Sequence, residues 1–145
     1  MRIYLVRHGD AVPEERAGSD RDRWLSERGR ENARELARSL RAHAIEVDAI
    51  LASPLPRAVQ TAELIAQGLG FEGAIATRRC LEPSGAPGVA AAEIAAAGAR
   101  VLVVSHEPAI SALGAHLLGL VYMSPFRTAQ CCAIVNGKPT YYPQS

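Results

Sequence analysis

An arginine and a histidine that could bind and attack an anion stand directly after the first apolar segment of the chain. The segment Ile3-Tyr4-Leu5-Val6 is followed by Arg7, His8 and Gly9. A residue that ends a buried strand lies at the rim of the sheet, where open α/β proteins bind their ligands. Glycine lets the backbone turn away there without crowding. Arg7 and His8 are therefore predicted to line a site.

Two further apolar segments end in the same way. Arg57 lies just after the segment that ends at Ala52, and His106 follows the continuous strand pattern of Val101-Leu102-Val103-Val104. Arginine forks make paired hydrogen bonds to phosphate oxygens and keep their charge at any working pH. These side chains are predicted to converge on one phosphoryl group, with Ser53 and Ser105 as capping or phosphate-binding residues.

A histidine among arginines can also act as a nucleophile. Nearby cations lower the pKa of an imidazole and keep one ring nitrogen unprotonated, so that it can attack phosphorus in line. The competing interpretation is a metal site, but a cation beside Arg7 and Arg57 would be repelled. No pair of histidines has the short spacing of metal ligands either. We therefore predict no metal and no other cofactor.

Four blocks of sequence together resemble one family. They are Arg7-His8-Gly9, Leu25-Ser26-Glu27-Arg28-Gly29, the run from Ser53 to Ala62, and Val104-Ser105-His106-Glu107-Pro108. The chain resembles the histidine phosphatase superfamily, the phosphoglycerate-mutase-like proteins, and most closely its short SixA-type phosphohistidine phosphatases. The resemblance implies that His8 is the nucleophile and becomes phosphorylated. It also implies that Arg7, Arg57 and His106 bind the phosphoryl oxygens and stabilise charge as the bond to the leaving group breaks.

The proton donor to the leaving group is the open question in the sequence. Larger members of this family supply it from a carboxylic acid after the third strand, and Glu82 is the nearest candidate. In Cys80-Leu81-Glu82-Pro83 the acid lies one residue after the leucine, and Cys80 stands where some relatives have glutamate. Asp10 is a second candidate. Solvent is the third, because the imidazole that leaves from phosphohistidine departs more readily than an alkoxide.

The length of the chain also bears on the substrate. Only 24 residues separate Arg57 from Glu82, too few for the helical insertion that covers the pocket in mutases and sugar-phosphate phosphatases. An uncovered pocket admits a phosphorylated side chain of another protein. The expected substrate is phosphohistidine on a signalling or phosphotransfer protein, with phosphate as product. The alternatives are a phosphatase or mutase for a small phosphoester and a non-catalytic phosphate-binding or phosphoprotein-binding module.

Composition limits the class of protein. The chain has 145 residues and a net charge of +1, which fits one domain over residues 1–145 and argues against a nucleic-acid partner. No apolar stretch approaches a membrane span and the first residues do not form a signal peptide, so a cytoplasmic protein without a membrane partner is expected. The three cysteines lack metal-ligand spacing and are expected to be buried or half-buried thiols.

Alternating periodicities predict an α/β fold, a three-layer α/β/α sandwich with a mixed, mostly parallel sheet and no large insertion over the site. Ser26 is predicted to cap a helix whose buried stripe runs from Ala33 to Ala44. A second helix is predicted from the pair Ser53-Pro54 to Gly68. A third strand over 74–81, a helix from Pro87 to Gly98, a helix opened by Pro108, and a closing hairpin about Asn136-Gly137 complete the prediction. The polar run from Asp10 to Trp24 is predicted to be a surface loop beside the site.

Overall fold

A computed structural model describes residues 1–143 of the chain. Its centre is one six-stranded sheet with the strand order β3-β2-β4-β1-β5-β6. The strands are β1 (Arg2–Arg7), β2 (Ala49–Ala52), β3 (Ile75–Thr77), β4 (Arg100–Ser105), β5 (Cys131–Val135) and β6 (Lys138–Tyr142). The first four strands run parallel, whereas β5 and β6 are antiparallel to their neighbours.

Helices cover both faces of this sheet. They are α1 (Glu14–Ala17), α2 (Glu27–Ala42), α3 (Pro56–Leu69), α4 (Pro87–Ala97) and α5 (Ala109–Leu118). Leu36 and Leu40 of α2 and Ile65 of α3 pack against one side of the sheet, and Ile94 of α4 and Ile110 of α5 pack against the other. The predicted three-layer sandwich with a mixed, mostly parallel sheet is confirmed, and no large insertion interrupts it within residues 1–143.

The two central parallel strands place two of the predicted site residues, both histidines, side by side. Arg7 of β1 is in register with Ser105 of β4, and the backbone N–H of His8 donates to the carbonyl of Ser105 at 3.1 Å. The next residue on each strand is therefore a histidine, His8 on one and His106 on the other. Both leave the carboxyl edge of the sheet, the edge predicted for the site.

Helix α2 follows the prediction except at its end. The Ser26 hydroxyl accepts a hydrogen bond from the Gly29 N–H at 3.0 Å, which satisfies one of the free donors of the first turn. The predicted stripe from Ala33 to Leu40 is buried. Ala44 does not belong to it, because the helix ends at Ala42 and Ala44 is exposed with a φ of 56°.

Both predicted ends of α3 were wrong by two residues. The helix begins at Pro56 rather than Pro54, with Leu55 at the N-cap, and it ends before Gly70 rather than at Gly68. Gly70 has a φ of 69°, a left-handed conformation that terminates helices. Gly68 instead allows α3 to approach α2 closely, since a Cβ on it would lie 2.5 Å from the Cβ of Ala37.

The third strand is shorter than predicted. It covers only Ile75–Thr77, and a 3₁₀ turn at Arg79–Leu81 follows it. Helix α4 begins at Pro87 and ends before Gly98 as predicted, and α5 begins where predicted, with Pro108 at its N-cap. The closing hairpin is also confirmed, because Asn136 and Gly137 both have positive φ between β5 and β6.

The thiols fit the expectation drawn from composition. Cys131 and Cys132 are fully buried on opposite faces of β5, Cys80 is half-buried, and all three are free. None of the helices within residues 1–143 combines the length and the hydropathy that crossing a bilayer requires.

Candidate active site

A cleft of about 290 Å³ opens at the carboxyl edge of the sheet, where β1 and β4 end. Four predicted site residues line it: Arg7, His8, Arg57 and His106. The loop predicted over 10–24 reaches the same cleft, and it contains the short helix α1. The residues that line the cleft besides those four are Asp10, Ala11, Asp20, Arg23, Pro83, Glu107 and Thr128.

His8 is held as a neutral imidazole with one free nitrogen. Its side chain is buried, and Nδ1 lies 2.7 Å from the carbonyl oxygen of Gly9. A carbonyl can only accept, so Nδ1 carries the proton and Nε2 keeps its lone pair. Gly9 in turn approaches another backbone closely, since a Cβ there would lie 2.7 Å from the carbonyl oxygen of Gly29. The local backbone thus fixes the tautomer that a nucleophile needs.

Burial keeps both histidines unprotonated. It is the largest cause that lowers the pKa of His8 to about 4, and the charges of Arg57, Arg7 and Arg23 lower it further. The pKa of His106 falls to about 3, again first by burial and then by the neighbouring His8 and Arg57. The two rings lie with their centroids 5.0 Å apart. At neutral pH the site therefore holds two neutral imidazoles between arginine charges.

His106 is supported from behind by Ser53. Its Nε2 lies 2.7 Å from the Ser53 hydroxyl, which also accepts the N–H of Leu55 at 3.2 Å. Within the described residues, Nε2 is the one acceptor placed for the proton of the buried Ser53 hydroxyl, so we assign that hydroxyl as the donor and the proton of His106 to Nδ1. Nδ1 is buried and has no hydrogen-bond partner within the described residues.

Two arginine nitrogens are likewise buried without a hydrogen-bond partner. Arg7 donates from one terminal nitrogen to the Phe126 carbonyl at 2.7 Å, and Arg57 from one to the Asp20 carbonyl at 2.7 Å. Yet the Nε atoms of both arginines are buried without a partner. Together with His106 Nδ1, they are the only buried side-chain nitrogens or oxygens in residues 1–143 left in this state. Buried donors are nearly always satisfied, so three unsatisfied ones on residues of one cleft are typical of an anion-binding site.

The two predicted serine contacts stand behind the cleft. Ser53 supports His106 as described, and the Ser105 hydroxyl donates to the Leu81 carbonyl at 2.6 Å. Neither serine is among the residues that line the cleft. Both are buried and hold the strand ends in place.

The candidate acids occupy different places. Glu82 does not line the cleft, although Pro83 does, and its carboxylate lies 2.6 Å from an Arg21 guanidinium nitrogen. Asp10 lines the cleft and accepts a hydrogen bond from the Ser26 hydroxyl at 2.7 Å. The geometry thus brings Asp10, and not Glu82, to the wall of the cleft.

Sequence reasoning missed four polar residues of the wall: Asp20, Arg23, Glu107 and Thr128. The Glu107 carboxylate accepts bonds of 2.6 Å from the Ser111 hydroxyl and from the backbone N–H of Phe126, and so ties α5 to the segment that holds Arg7. The one sequence signal that could have placed Glu107 at the cleft was its position next to His106. Asp20 and Arg23 lie in the 10–24 loop, whose path does not follow from periodicity.

No three histidine, cysteine or acidic side chains in the part of the chain that the structure describes come together as a metal site. The buried polar atoms of the cleft that lack a partner are nitrogens of arginine and histidine, which fit an anion, whereas the lining carboxylates already accept hydrogen bonds.

Acidification tests the burial of the two histidines. Above pH 6.5 His8 is neutral in both the folded and the unfolded chain; below it only the unfolded chain takes up a proton, until the folded pKa of about 4 is reached. The contribution of His8 to the free energy of unfolding is therefore fully present above pH 6.5. It falls by roughly 3 kcal/mol as the pH drops from 6.5 to 4. Urea unfolding of wild type and His8→Asn at pH 7 and pH 4.5 measures it. We expect a smaller loss in the variant; an equal loss would contradict the burial of a neutral His8.

Comparisons with known proteins match the chain to one family. The family model of the histidine phosphatase superfamily (branch 1) matches residues 3–82. The phosphohistidine phosphatase SixA of Escherichia coli (strain K12) is 34% identical over 121 residues, which cover 81% of this chain and 74% of that protein.

Solved structures give the same result for the fold. A structure of the protein histidine phosphatase SixA complexed with tungstate superposes with a TM-score of 0.87 at 30% identity and covers 97% of this chain and 94% of that one. A mycobacterial glucosyl-3-phosphoglycerate phosphatase superposes with a TM-score of 0.71 at 21% identity over 92% of this chain and 90% of its own. At that identity, the second match bears on the fold alone.

Proposed function

The chain is a phosphatase that belongs to the histidine phosphatase superfamily, and from this premise we propose that it works without a metal ion, through a phosphohistidine intermediate on His8. The observation that carries the proposal is the state of His8, which is buried and neutral, with Nδ1 bound to the Gly9 carbonyl and Nε2 free. The buried donors of Arg7, Arg57 and His106 that lack a partner support it as the binding groups for the phosphoryl oxygens.

The reaction proceeds in two displacements. The Nε2 lone pair of His8 attacks phosphorus while the bond from phosphorus to the leaving group breaks, and the leaving group takes a proton. The His8 ring keeps its Nδ1 proton on the Gly9 carbonyl. A water molecule then attacks the phosphohistidine, the bond from phosphorus to Nε2 breaks, and phosphate leaves with His8 neutral again.

The cationic side chains lower both barriers. Charge on the transferred phosphoryl oxygens faces Arg7, Arg57 and the Nδ1–H of His106, which are already in place before the reaction. Preorganised donors of this kind need no reorganisation at the moment of transfer. Ser53 acts as a positioning residue, because its hydroxyl fixes which nitrogen of His106 carries the proton.

We propose phosphohistidine on a protein as the substrate, and the carboxylates of the cleft wall support this choice. Asp10 is bound to Ser26, Glu107 to Ser111 and Phe126, and Asp20 to Arg57. Within the described residues, each lining carboxylate thus already accepts a hydrogen bond, and the proposed acid Glu82 lies off the wall with Arg21. A departing imidazole can take its proton from solvent, whereas an alkoxide needs a positioned acid.

Two further facts support a protein-borne group. The segment from Arg57 to Glu82 contains only the rest of α3, β3 and one 3₁₀ turn, so nothing in it covers the cleft. The relative of 34% identity from Escherichia coli is a phosphohistidine phosphatase. We propose a signalling or phosphotransfer protein as the partner.

A release assay tests the substrate. Phosphate release is measured from a phosphohistidine protein, a phosphoserine peptide and a sugar phosphate, with wild type and Glu82→Gln side by side. We expect kcat/KM for phosphohistidine to exceed that for either ester at least about a hundredfold, and Glu82→Gln to change it less than about threefold, since no acid is required.

Other results would revise the proposal in distinct ways. Equal rates on all three compounds would remove the preference for phosphohistidine. Faster release from the sugar phosphate, with a large loss in Glu82→Gln, would identify a phosphatase for small phosphoesters with Glu82 as its acid.

A further inference from the structure

The arginine that should bind the phosphoryl group already holds an anion from its own chain. The Arg57 guanidinium is buried, with 4% of its side chain exposed, and it lies against Asp20 of the 10–24 loop. One terminal nitrogen donates to the Asp20 carbonyl oxygen at 2.7 Å and the other to the Asp20 carboxylate at 3.3 Å. Only Nε is left without a partner.

This arrangement engages both terminal nitrogens of Arg57, the donors that we propose for the phosphoryl oxygens. Arg57 and Asp20 line the same cleft as His8, and a carboxylate and a phosphoryl group use the same planar fork of a guanidinium. A phosphoryl group bound next to His8 and Arg57 would also stand close to the negative charge of Asp20. The two anions therefore compete for one cation.

Asp20 can give way at small cost. Its side chain is 56% exposed, so its carboxylate is partly hydrated already, and the phosphoryl oxygens that displace it take over as partners of the buried Arg57 charge. It also has a second cation, since an Arg23 terminal nitrogen lies 3.2 Å from the other carboxylate oxygen. When it leaves Arg57, Asp20 thus keeps both water and Arg23 as partners.

We propose that Asp20 is an internal competitor for the phosphoryl site, which holds Arg57 in the empty enzyme and is displaced by the phosphoryl oxygens of the substrate. This inference rests on the proposed function of the cleft as a phosphoryl site. Asp20 is a positioning residue rather than a catalytic one, because it acts through Arg57. Competition by the Asp20 carboxylate weakens the binding of every anion in the cleft, including the product phosphate. Phosphate is therefore released readily after each turnover.

The test is the affinity for inorganic phosphate, measured by calorimetric titration without any turnover. We expect Asp20→Ala to bind phosphate about five- to twentyfold more tightly than wild type, since one charge-assisted contact no longer has to be broken. Asp20→Asn keeps an acceptor without the charge and should tighten binding about two- to fivefold. The inhibition constant of phosphate and the KM for an aryl phosphate should fall in parallel, whereas kcat should change less than KM.

Glu15→Ala is the matched control. Glu15 is an exposed residue of the same loop and makes no ion pair within residues 1–143; its replacement removes one negative charge, as Asp20→Ala does. We expect it to leave phosphate affinity within twofold of wild type. Thermal unfolding of each variant reports folding, and if Asp20→Ala does not fold, Asp20→Asn decides.

Two contrary results are distinguishable. If wild type binds phosphate and the Asp20 variants bind it equally or more weakly, Asp20 supports Arg57 rather than competing for it, and this inference fails alone. If no variant binds phosphate at millimolar concentration, the cleft is not a phosphoryl site, and the proposed function fails with it.

Discussion

Replacement of His8 by alanine is expected to lower kcat/KM at least about ten-thousandfold for every phosphorylated substrate, because the reaction loses its nucleophile and not only a contact. No other group takes over the role within the described cleft. Nε2 of His106 is engaged with Ser53, and the Ser53 and Ser105 hydroxyls do not line the cleft. The measurement is phosphate release under saturating and limiting substrate.

His43→Ala is the control for this prediction. His43 is an exposed histidine at the end of α2, where its Nδ1 lies 2.8 Å from the Ser39 carbonyl. We expect the variant to retain the activity of wild type within about twofold. A His8→Ala enzyme that kept one tenth of the wild-type rate would mean that water attacks the substrate directly.

The second large effect is expected at Arg57. Arg57→Ala should lower kcat/KM by about a thousandfold, which corresponds to about 4 kcal/mol of transition-state stabilisation. Arg57→Lys should recover only part of this loss, because an ammonium keeps the charge but not the planar fork. The phosphate release assay with both variants provides the measurement.

Arg34→Ala removes the same charge from an exposed ion pair of α2, with Glu31 at 3.6 Å. It should leave activity unchanged, since such surface pairs contribute little. If Arg57→Lys and Arg34→Ala behaved alike, paired hydrogen bonding by Arg57 would not matter to the reaction.

Much of the scaffold follows from local sequence signals. β1 and β4 are continuous apolar runs, and a run of this kind can be satisfied only in the middle of a sheet covered on both faces. Ser26 at the start of α2 and Asn136-Gly137 in the hairpin each satisfy a local rule with one best solution. These elements were predicted because their causes lie within a few residues of one another.

The ends of α3 show where local rules stop. Ser53-Pro54 and Leu55-Pro56 both offer a proline to begin a helix, and Gly68 and Gly70 both offer a glycine to end it. Tertiary contacts decide which proline begins the helix and which glycine ends it. The Ser53 hydroxyl is engaged with His106 on the neighbouring strand, and Gly68 is needed where α3 approaches Ala37 of α2.

In the candidate site, too, the residues placed by local elements could be predicted and those placed by long-range contacts could not. Arg7, His8 and His106 lie at strand ends and Arg57 lies in the first turn of a helix, so the topology of the sheet alone brings them together. Asp20 and Arg23 reach the cleft through a loop whose path is set by long-range contacts, among them the bridge between Ala11 and Leu25. The displacement of Glu82 from the wall likewise depends on the 3₁₀ turn at Arg79–Leu81, which periodicity did not reveal.

The central claim, transfer of the phosphoryl group through His8, is tested most directly by trapping the intermediate. Wild-type enzyme is mixed with an activated aryl phosphate, quenched in alkali within a turnover, digested, and analysed by mass spectrometry. We predict a phosphoryl adduct on His8 that is stable in alkali and labile in acid, and that is absent from His8→Ala. Rapid phosphate release by wild type without any adduct on His8, or an adduct on another residue, would contradict this mechanism.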